Sequence, residues 1–183
     1  ANEYPDYSVN KQYGVKVKWC VKGEGGIYSS PFKEDNRLFV GDDTGKLTAY
    51  NIKNGKRLWQ FSVQRRIVGD CAAENGIVVF GSADSTVYGV SSANGKMIWK
   101  LKTQGPVLGA VRIVNGLAYI GASDNKMRCI DTKTGKEVWE YSGVTGYIVT
   151  RPLVTDGKVI FGAWDNTLYA LDASNGSEVW KWK

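Results

Sequence analysis

Short apolar runs recur along this chain in a fixed setting. Each run ends on a glycine, passes through a polar turn, continues as an alternating stretch, and reaches a second polar turn before an aromatic end. Four segments carry the pattern: RLFVGDDTGKLTAYNIKNGKRLWQF, IVVFGSADSTVYGVSSANGKMIWKL, LAYIGASDNKMRCIDTKTGKEVWEY and KVIFGAWDNTLYALDASNGSEVWKW. Alternation with period two marks strands with one face buried. Continuous apolar runs such as Ile77–Phe80 mark strands covered on both faces. No segment has the spacing of an amphipathic helix, so the pattern predicts an all-β chain.

The segments are copies of one unit. Gly41, Gly81, Gly121 and Gly162 align, as do Gly55, Gly95, Gly135 and Gly176, and Trp59, Trp99, Trp139 and Trp180, at steps of 40, 40 and 41 residues. Trp19 sits one further period upstream. The third unit shows how each copy folds. Val107–Ile113 predicts an inner strand, and Asn115-Gly116 a tight hairpin to Leu117–Ile120. Ser123-Asp124-Asn125 turns the chain into a third strand at Lys126–Asp131, because Asp and Asn tolerate positive φ. Thr134-Gly135-Lys136 then leads to an outermost strand ending at Val138–Tyr141. Four strands at this spacing make a β-propeller blade, and blades must stack because one small sheet cannot bury two apolar faces alone. The expected organisation is a tail at 1–13 and a propeller over 14–183. The blades fall at about 24–63, 64–103, 104–143 and 144–183, with one extra N-terminal strand around Trp19.

The stretches ending in each Trp resemble the tryptophan-docking motif of quinoprotein-type propeller repeats, Ala-x-Asp-x-x-Thr-Gly-Lys-x-x-Trp. Cys129, Asp131, Thr134, Gly135, Lys136 and Trp139 match it well. Ala49, Asn51, Asn54, Gly55, Lys56 and Trp59 match with polar swaps, and Ala170, Asp172, Asn175, Gly176 and Trp180 match with Ser177 in place of Lys. The second copy is weaker at Gly89 and Ser91, and Trp19 keeps only part of the motif. The resemblance implies that Trp19, Trp59, Trp99, Trp139 and Trp180 dock blade to blade, with Trp59, Trp99, Trp139 and Trp180 buried. It does not fix function, since such repeats serve quinone dehydrogenases, outer-membrane assembly scaffolds and sensor domains alike. It implies a periplasmic or extracellular place. Members usually carry about seven or eight blades. That favours a piece of a larger propeller over a ring of four closed on itself, and an end at a blade boundary points the same way. Uncovered sheet faces at the ends of an arc predict pairing with a second copy or continuation of the chain.

Composition narrows the chemistry. The chain has 183 residues, 43% of them hydrophobic and 23% charged, the size and balance of one globular domain. It has no histidine, which excludes Ser-His-Asp and Cys-His mechanisms. The three cysteines, Cys20, Cys71 and Cys129, are spaced for neither a disulfide framework nor a metal knuckle and are expected as buried thiols. A quinone site needs calcium ligands, a catalytic Asp and often adjacent cysteines. No Cys-Cys pair is present, so no cofactor, no metal and no catalytic residue are expected. A ligand-sensing module of a larger enzyme or receptor, or a fragment of a quinone-dependent dehydrogenase, is the alternative to a binding scaffold. The net charge of +6 lies mostly within residues 1–66. No basic stripe forms beyond Arg65-Arg66, which argues against nucleic acid, and no apolar run reaches the roughly 18–20 residues of a membrane span.

Candidate partner-binding residues are those that vary while the fold's positions repeat. On the rim formed by the loops leading into each blade and the turns between second and third strands, these are Glu24, Arg65, Arg66, Gln104 and Tyr147. Trp164 joins them, in a turn where the sister units have Asp43, Ala83 and Ser123. An exposed Trp is used or covered. At the inner strands Ser30, Asp70, Ala110 and Arg151 align. Asp70 and Arg151 meet across the axis if the ring is small and stay separately hydrated otherwise, and Arg151 joins Arg65, Arg66, Tyr147 and Trp164 as a partner-binding candidate. Asp84, Asp124 and Asp165 are expected to close hairpin turns. The expected partner is a protein or an acidic, extended peptide.

Overall fold

A computed structural model describes residues 16–183, all of the chain beyond its first fifteen residues; the tail expected at 1–13 lies outside them. Among the described residues, sixteen strands form four separate antiparallel sheets of four, each a simple meander. Blade 1 comprises β1 (Phe32–Glu34), β2 (Arg37–Gly41), β3 (Lys46–Asn51) and β4 (Arg57–Ser62). Blade 2 comprises β5 (Ala72–Glu74), β6 (Ile77–Ser82), β7 (Thr86–Ser91) and β8 (Met97–Lys102). Blade 3 comprises β9 (Arg112–Val114), β10 (Leu117–Gly121), β11 (Met127–Asp131) and β12 (Glu137–Tyr141). Blade 4 comprises β13 (Leu153–Thr155), β14 (Lys158–Ala163), β15 (Thr167–Asp172) and β16 (Glu178–Trp182).

The turns follow from residue chemistry. The inner hairpin of blade 3 places Asn115 and Gly116 at φ of 53° and 77°, and the next turn places Asn125 at 65°. These are left-handed values that Asn and Gly tolerate and that match strand twist. Every blade carries one bulge between its third and fourth strands, at Ala49/Tyr50, Gly89/Val90, Cys129/Ile130 and Ala170/Leu171. A bulge sharpens local twist, which swings each outer strand towards the next blade.

The inner strand of blade 3 is shorter than its apolar pattern predicts. Only Arg112–Val114 pairs with β10. The preceding stretch bonds to blade 2 instead, Val107 N–H to the Ser82 carbonyl at 3.0 Å and Val111 N–H to the Asp70 carbonyl at 2.9 Å. Its alternation reflects packing between blades, not a ladder within one.

Three apolar clusters fill the three seams. Phe39, Leu47 and Ala49 meet Ile67, Val78 and Phe80 between blades 1 and 2. Val79, Val87 and Trp99 meet Val107, Ala118 and Ile120 between blades 2 and 3. Tyr119, Met127 and Trp139 meet Ile148, Val159 and Phe161 between blades 3 and 4. At these seams Trp99 and Trp139 are buried, whereas Trp59, expected to be buried, is only half-buried. The indole N–H of Trp59 donates to the Ser92 carbonyl at 3.0 Å, that of Trp99 to Thr132 at 2.6 Å and that of Trp139 to Ala173 at 3.0 Å. Each ring lies on the positive-φ glycine of the next blade, Gly95, Gly135 and Gly176, where any Cβ would strike the indole. Trp19 docks the same way on Gly55, donating to the Ile52 carbonyl at 3.0 Å.

Three further expectations are corrected. Trp180 is not buried. It stands on the uncovered face of blade 4 and is 38% exposed, because no following blade lies against it among the described residues. The segment around Trp19 forms no strand over residues 16–22 and lies on blade 1 through the side chains of Trp19 and Val21, both against Gly55. Cys20, beside Trp19, is exposed, because its neighbour faces blade 1 and it faces away. Cys71 and Cys129 are buried.

Candidate functional site

The loop leading into each blade and the turn between its second and third strands share one rim. Backbone bonds join them: Asp43 N–H to the Gly26 carbonyl at 3.0 Å, Ala83 to Arg66 at 3.0 Å, Ser123 to Pro106 at 2.9 Å and Trp164 to Tyr147 at 3.0 Å. Turn aspartates reinforce the joint. Asp124 accepts from Gln104 N–H at 3.1 Å, and Asp165 from Thr145 N–H at 3.0 Å. They do more than close hairpins, since the side chain four residues on also binds them. Tyr88 donates to Asp84 at 2.8 Å and Tyr169 to Asp165 at 2.6 Å. Burial, with the carboxylate partner adding to it, pushes both phenols up to about 12, so they remain donors. Burial tends to raise Asp165, but the bonds from Tyr169 and Thr145 outweigh it and hold its carboxyl down to about 2.

Blade 3 carries Arg128 at the tyrosine position. Its guanidinium is 2% exposed and bonds Asp124 twice, at 2.5 and 3.0 Å, and the Gln104 side-chain oxygen at 3.2 Å. Glu137 and Glu140 complete its surroundings at 3.2 and 3.3 Å. Gln104, expected as a rim candidate, is thereby a structural partner. Glu24 is likewise held in ion pairs with Lys46 and Arg57.

Glu24 and Gln104 stay exposed although engaged in these bonds, and Arg65, Arg66, Tyr147 and Trp164 are exposed on the rim as well. Arg65 and Arg66 line a cleft of about 740 Å³ together with Asp43, Gln64, Pro106 and Leu108. Tyr147 and Trp164 stand against each other with ring centroids 5.9 Å apart and line a second, shallower hollow with Asn125 and Thr145. Trp164 is 69% exposed and Tyr147 48%, so the Trp leans on its own blade's loop and is not buried by a neighbour. Arg151 is placed differently. Its guanidinium bonds Asp70 at 3.0 Å at the axis, and Asp70 also accepts the Ser30 N–H at 2.5 Å. Trp182 is 72% exposed at the edge of blade 4. The seam residues that organise the axial contacts, Ile67, Val107 and Ile148, were not singled out from sequence, although their spacing of 40 and 41 residues matches that of the tryptophans.

Among the described residues, no group of three or more Cys, Asp or Glu is placed to hold a metal ion. The donor set for calcium beside a quinone is not assembled by them.

Known proteins share this arrangement. The crystal structure of BamB from Moraxella catarrhalis superposes with a TM-score of 0.81 at 20% identity, over 91% of this chain and 56% of that one. A quinohemoprotein alcohol dehydrogenase from Pseudomonas putida HK5 superposes at 0.74 with 17% identity, over 89% of this chain and 35% of that one. At such identities the likeness is one of fold. In sequence, the outer membrane protein assembly factor BamB of Shewanella oneidensis is 34% identical over 77 residues, which is 39% of this chain. The chain spans about a fifth of the length of that relative in the match. A family profile described as outer membrane protein assembly factor BamB matches residues 12–143 and again 109–183, so the chain belongs to this family of quinoprotein-type propellers.

Proposed function

We propose that this chain is a non-catalytic propeller scaffold that holds a protein or peptide segment on its rim, outside the cytoplasm. The observation that carries the reading is the exposed pair Tyr147 and Trp164, in contact with each other and unshared by the other three blades. A position that varies inside a repeat is free of the fold's demand. Two large aromatic rings at such positions are the residue type that dominates binding energy at interfaces. On the same rim, Arg65 and Arg66 offer guanidinium forks suited to carboxylates. The partner fitted by this surface is an extended acidic segment with an apolar anchor. The anchor would rest on Tyr147 and Trp164 and the carboxylates at the cleft of Arg65 and Arg66. Arg151, ion-paired with Asp70 near the axis, offers neither a free fork nor net positive charge. Kinship with proteins named as outer membrane assembly factors supports both the scaffold role and an extracytoplasmic place. The test uses fluorescently labelled acidic peptides with and without one aromatic residue. Binding should weaken about tenfold or more for Trp164→Ala combined with Arg66→Ala. Unchanged binding of every peptide by the double variant would remove the rim from the function.

A further inference from the structure

Four loops lead into the four blades, and one of them departs from the rule the others share. Two residues before the branched residue of each loop, three blades have a glycine: Gly25 before Ile27, Gly105 before Val107 and Gly146 before Ile148. Blade 2 has Arg65 before Ile67. The glycines serve close approach. A Cβ on Gly105 would stand 2.8 Å from the backbone nitrogen of Asp124, and one on Gly146 would stand 2.5 Å from that of Asp165. At Gly25 it would strike the Asp43 side chain. Without a Cβ the loop lies on the turn between second and third strands. In blades 3 and 4 the turn aspartate then accepts a loop N–H, Asp124 from Gln104 and Asp165 from Thr145.

Arg65 brings a Cβ to this place, and the joint of blade 2 is incomplete. Asp84 is the turn aspartate there. Its Oδ2 accepts the Tyr88 hydroxyl, and its Oδ1 is buried with no partner among the described residues. Asp165, by contrast, accepts the N–H and hydroxyl of Thr145, the Thr167 N–H and the Tyr169 hydroxyl. A buried acceptor without a donor costs stability. The loop of blade 2 is nonetheless pinned. Ser82, fully buried, donates its hydroxyl to the Arg65 carbonyl at 3.0 Å, where the sister blades have Asp42, Ala122 and Ala163. Neither Arg65 nor Arg66 takes part in an ion pair among the described residues. The cleft of about 740 Å³ lies at this joint. Besides the two arginines it is lined by Gln64 and Ala83, by Pro106 and Leu108 of the next loop, and by Asp43.

We propose that Arg65 converts this joint from a structural seam into a carboxylate-selective cleft and decides its specificity. The inference rests on the reading of the rim as a docking surface and names what the cleft takes. That is one Asp or Glu side chain inside an extended partner segment, next to an aliphatic side chain. The carboxylate meets the guanidinium forks of Arg65 and Arg66, and the aliphatic neighbour rests on Pro106 and Leu108. Asp43 adds a negative charge to the cleft, which disfavours a run of carboxylates and selects a single one. Ser82 fixes the Arg65 backbone before the partner arrives, so less ordering is required on binding. A side chain at position 65 has no room on a loop that lies against its turn as the glycine loops do. The bond missing at Asp84 and the open cleft therefore have one cause.

Two measurements test this separately. The first uses no ligand. In amide hydrogen exchange followed by NMR, Gln64 should be about tenfold or more less protected than Gln104 and Thr145. Arg65→Gly should protect Gln64 to match them, and Arg65→Ala should not, because alanine keeps the Cβ. A Gln64 amide as protected as the other two in the parent overturns the proposal, as does one that responds alike to both substitutions. The second uses an extended peptide capped at both ends, with a Phe anchor and one Glu beside a Leu, and the same peptide with Gln in place of Glu. The parent should bind the Glu peptide about tenfold or more tightly than the Gln peptide. Arg65→Gly should remove that preference, whereas Trp164→Ala should weaken both peptides and keep it. A preference untouched by Arg65→Gly overturns the cleft and leaves the rim reading standing. Failure of the parent to bind either peptide removes the rim reading, and the cleft with it.

Discussion

Arg151 donates to Asp70, 81 residues earlier in the chain, at 3.0 Å. The same carboxylate accepts the Ser30 N–H at 2.5 Å, so one aspartate ties the inner edges of blades 1, 2 and 4. Both partners of the ion pair are partly exposed, at 38% and 21% for their side chains, so solvent screens the attraction. A double-mutant cycle of Asp70→Ala and Arg151→Ala in urea denaturation should give a coupling below about 1 kcal/mol. It should shrink further in high salt. A coupling of several kcal/mol would mean that the pair is sealed from water.

Trp139 and Trp180 occupy the same repeat position with opposite surroundings. Trp139 is 8% exposed against blade 4, and Trp180 is 38% exposed on an open face. Trp139→Ala should cost about 3–5 kcal/mol, through lost burial and the cavity left behind. Trp180→Ala should cost less than about 1 kcal/mol, as changes away from packed sites do. Equal losses in chemical denaturation would contradict the open face.

Acid should destabilise the fold in a defined window. Glu24, Asp124, Asp131, Asp165, Asp172 and Glu178 are shifted down in the folded chain, and Glu137 is shifted up. The clearest case, Asp165, falls from 3.8 to about 2. A carboxyl that resists protonation when folded contributes stability that is fully present above its unfolded value. That stability is lost as pH falls through its folded value. Melting temperature should therefore drop between about pH 4 and pH 2, and Asp165→Asn should flatten the drop. Thermal melts followed by circular dichroism check both. A melting temperature independent of pH in this window would contradict the assignment.

Thiol chemistry should separate the three cysteines. Burial pushes the Cys71 thiol up to about 12 and the Cys129 thiol up to about 11, and both are shielded from reagents. Cys20 is exposed. Reaction with a chromogenic disulfide at neutral pH should titrate Cys20 quickly in the native protein and all three thiols in denaturant. Rapid native labelling of Cys71 or Cys129 would show that the seams open.

The strand order, the turns and the docking of Trp59, Trp99 and Trp139 were legible in the sequence, because local chemistry repeats with the blade. Asn-Gly turns need positive φ wherever they occur, and an apolar strand between two sheets needs both faces covered. The sequence likewise marks Arg65, Arg66, Tyr147 and Trp164, since a position that departs from its sister units shows without any structure. Three matters were decided only by tertiary packing. Trp180 carries the same motif as Trp139 but is exposed, because a docking motif specifies half of a contact and the other half belongs to the next blade. Gln104 and Glu24 read as free rim groups until Arg128 and Lys46 are seen to hold them. Asp70 and Arg151 pair because the radius of the arc brings strands 81 residues apart to one axis. That radius is set by how closely Ile67, Val107 and Ile148 seat on Gly41, Gly81 and Gly121.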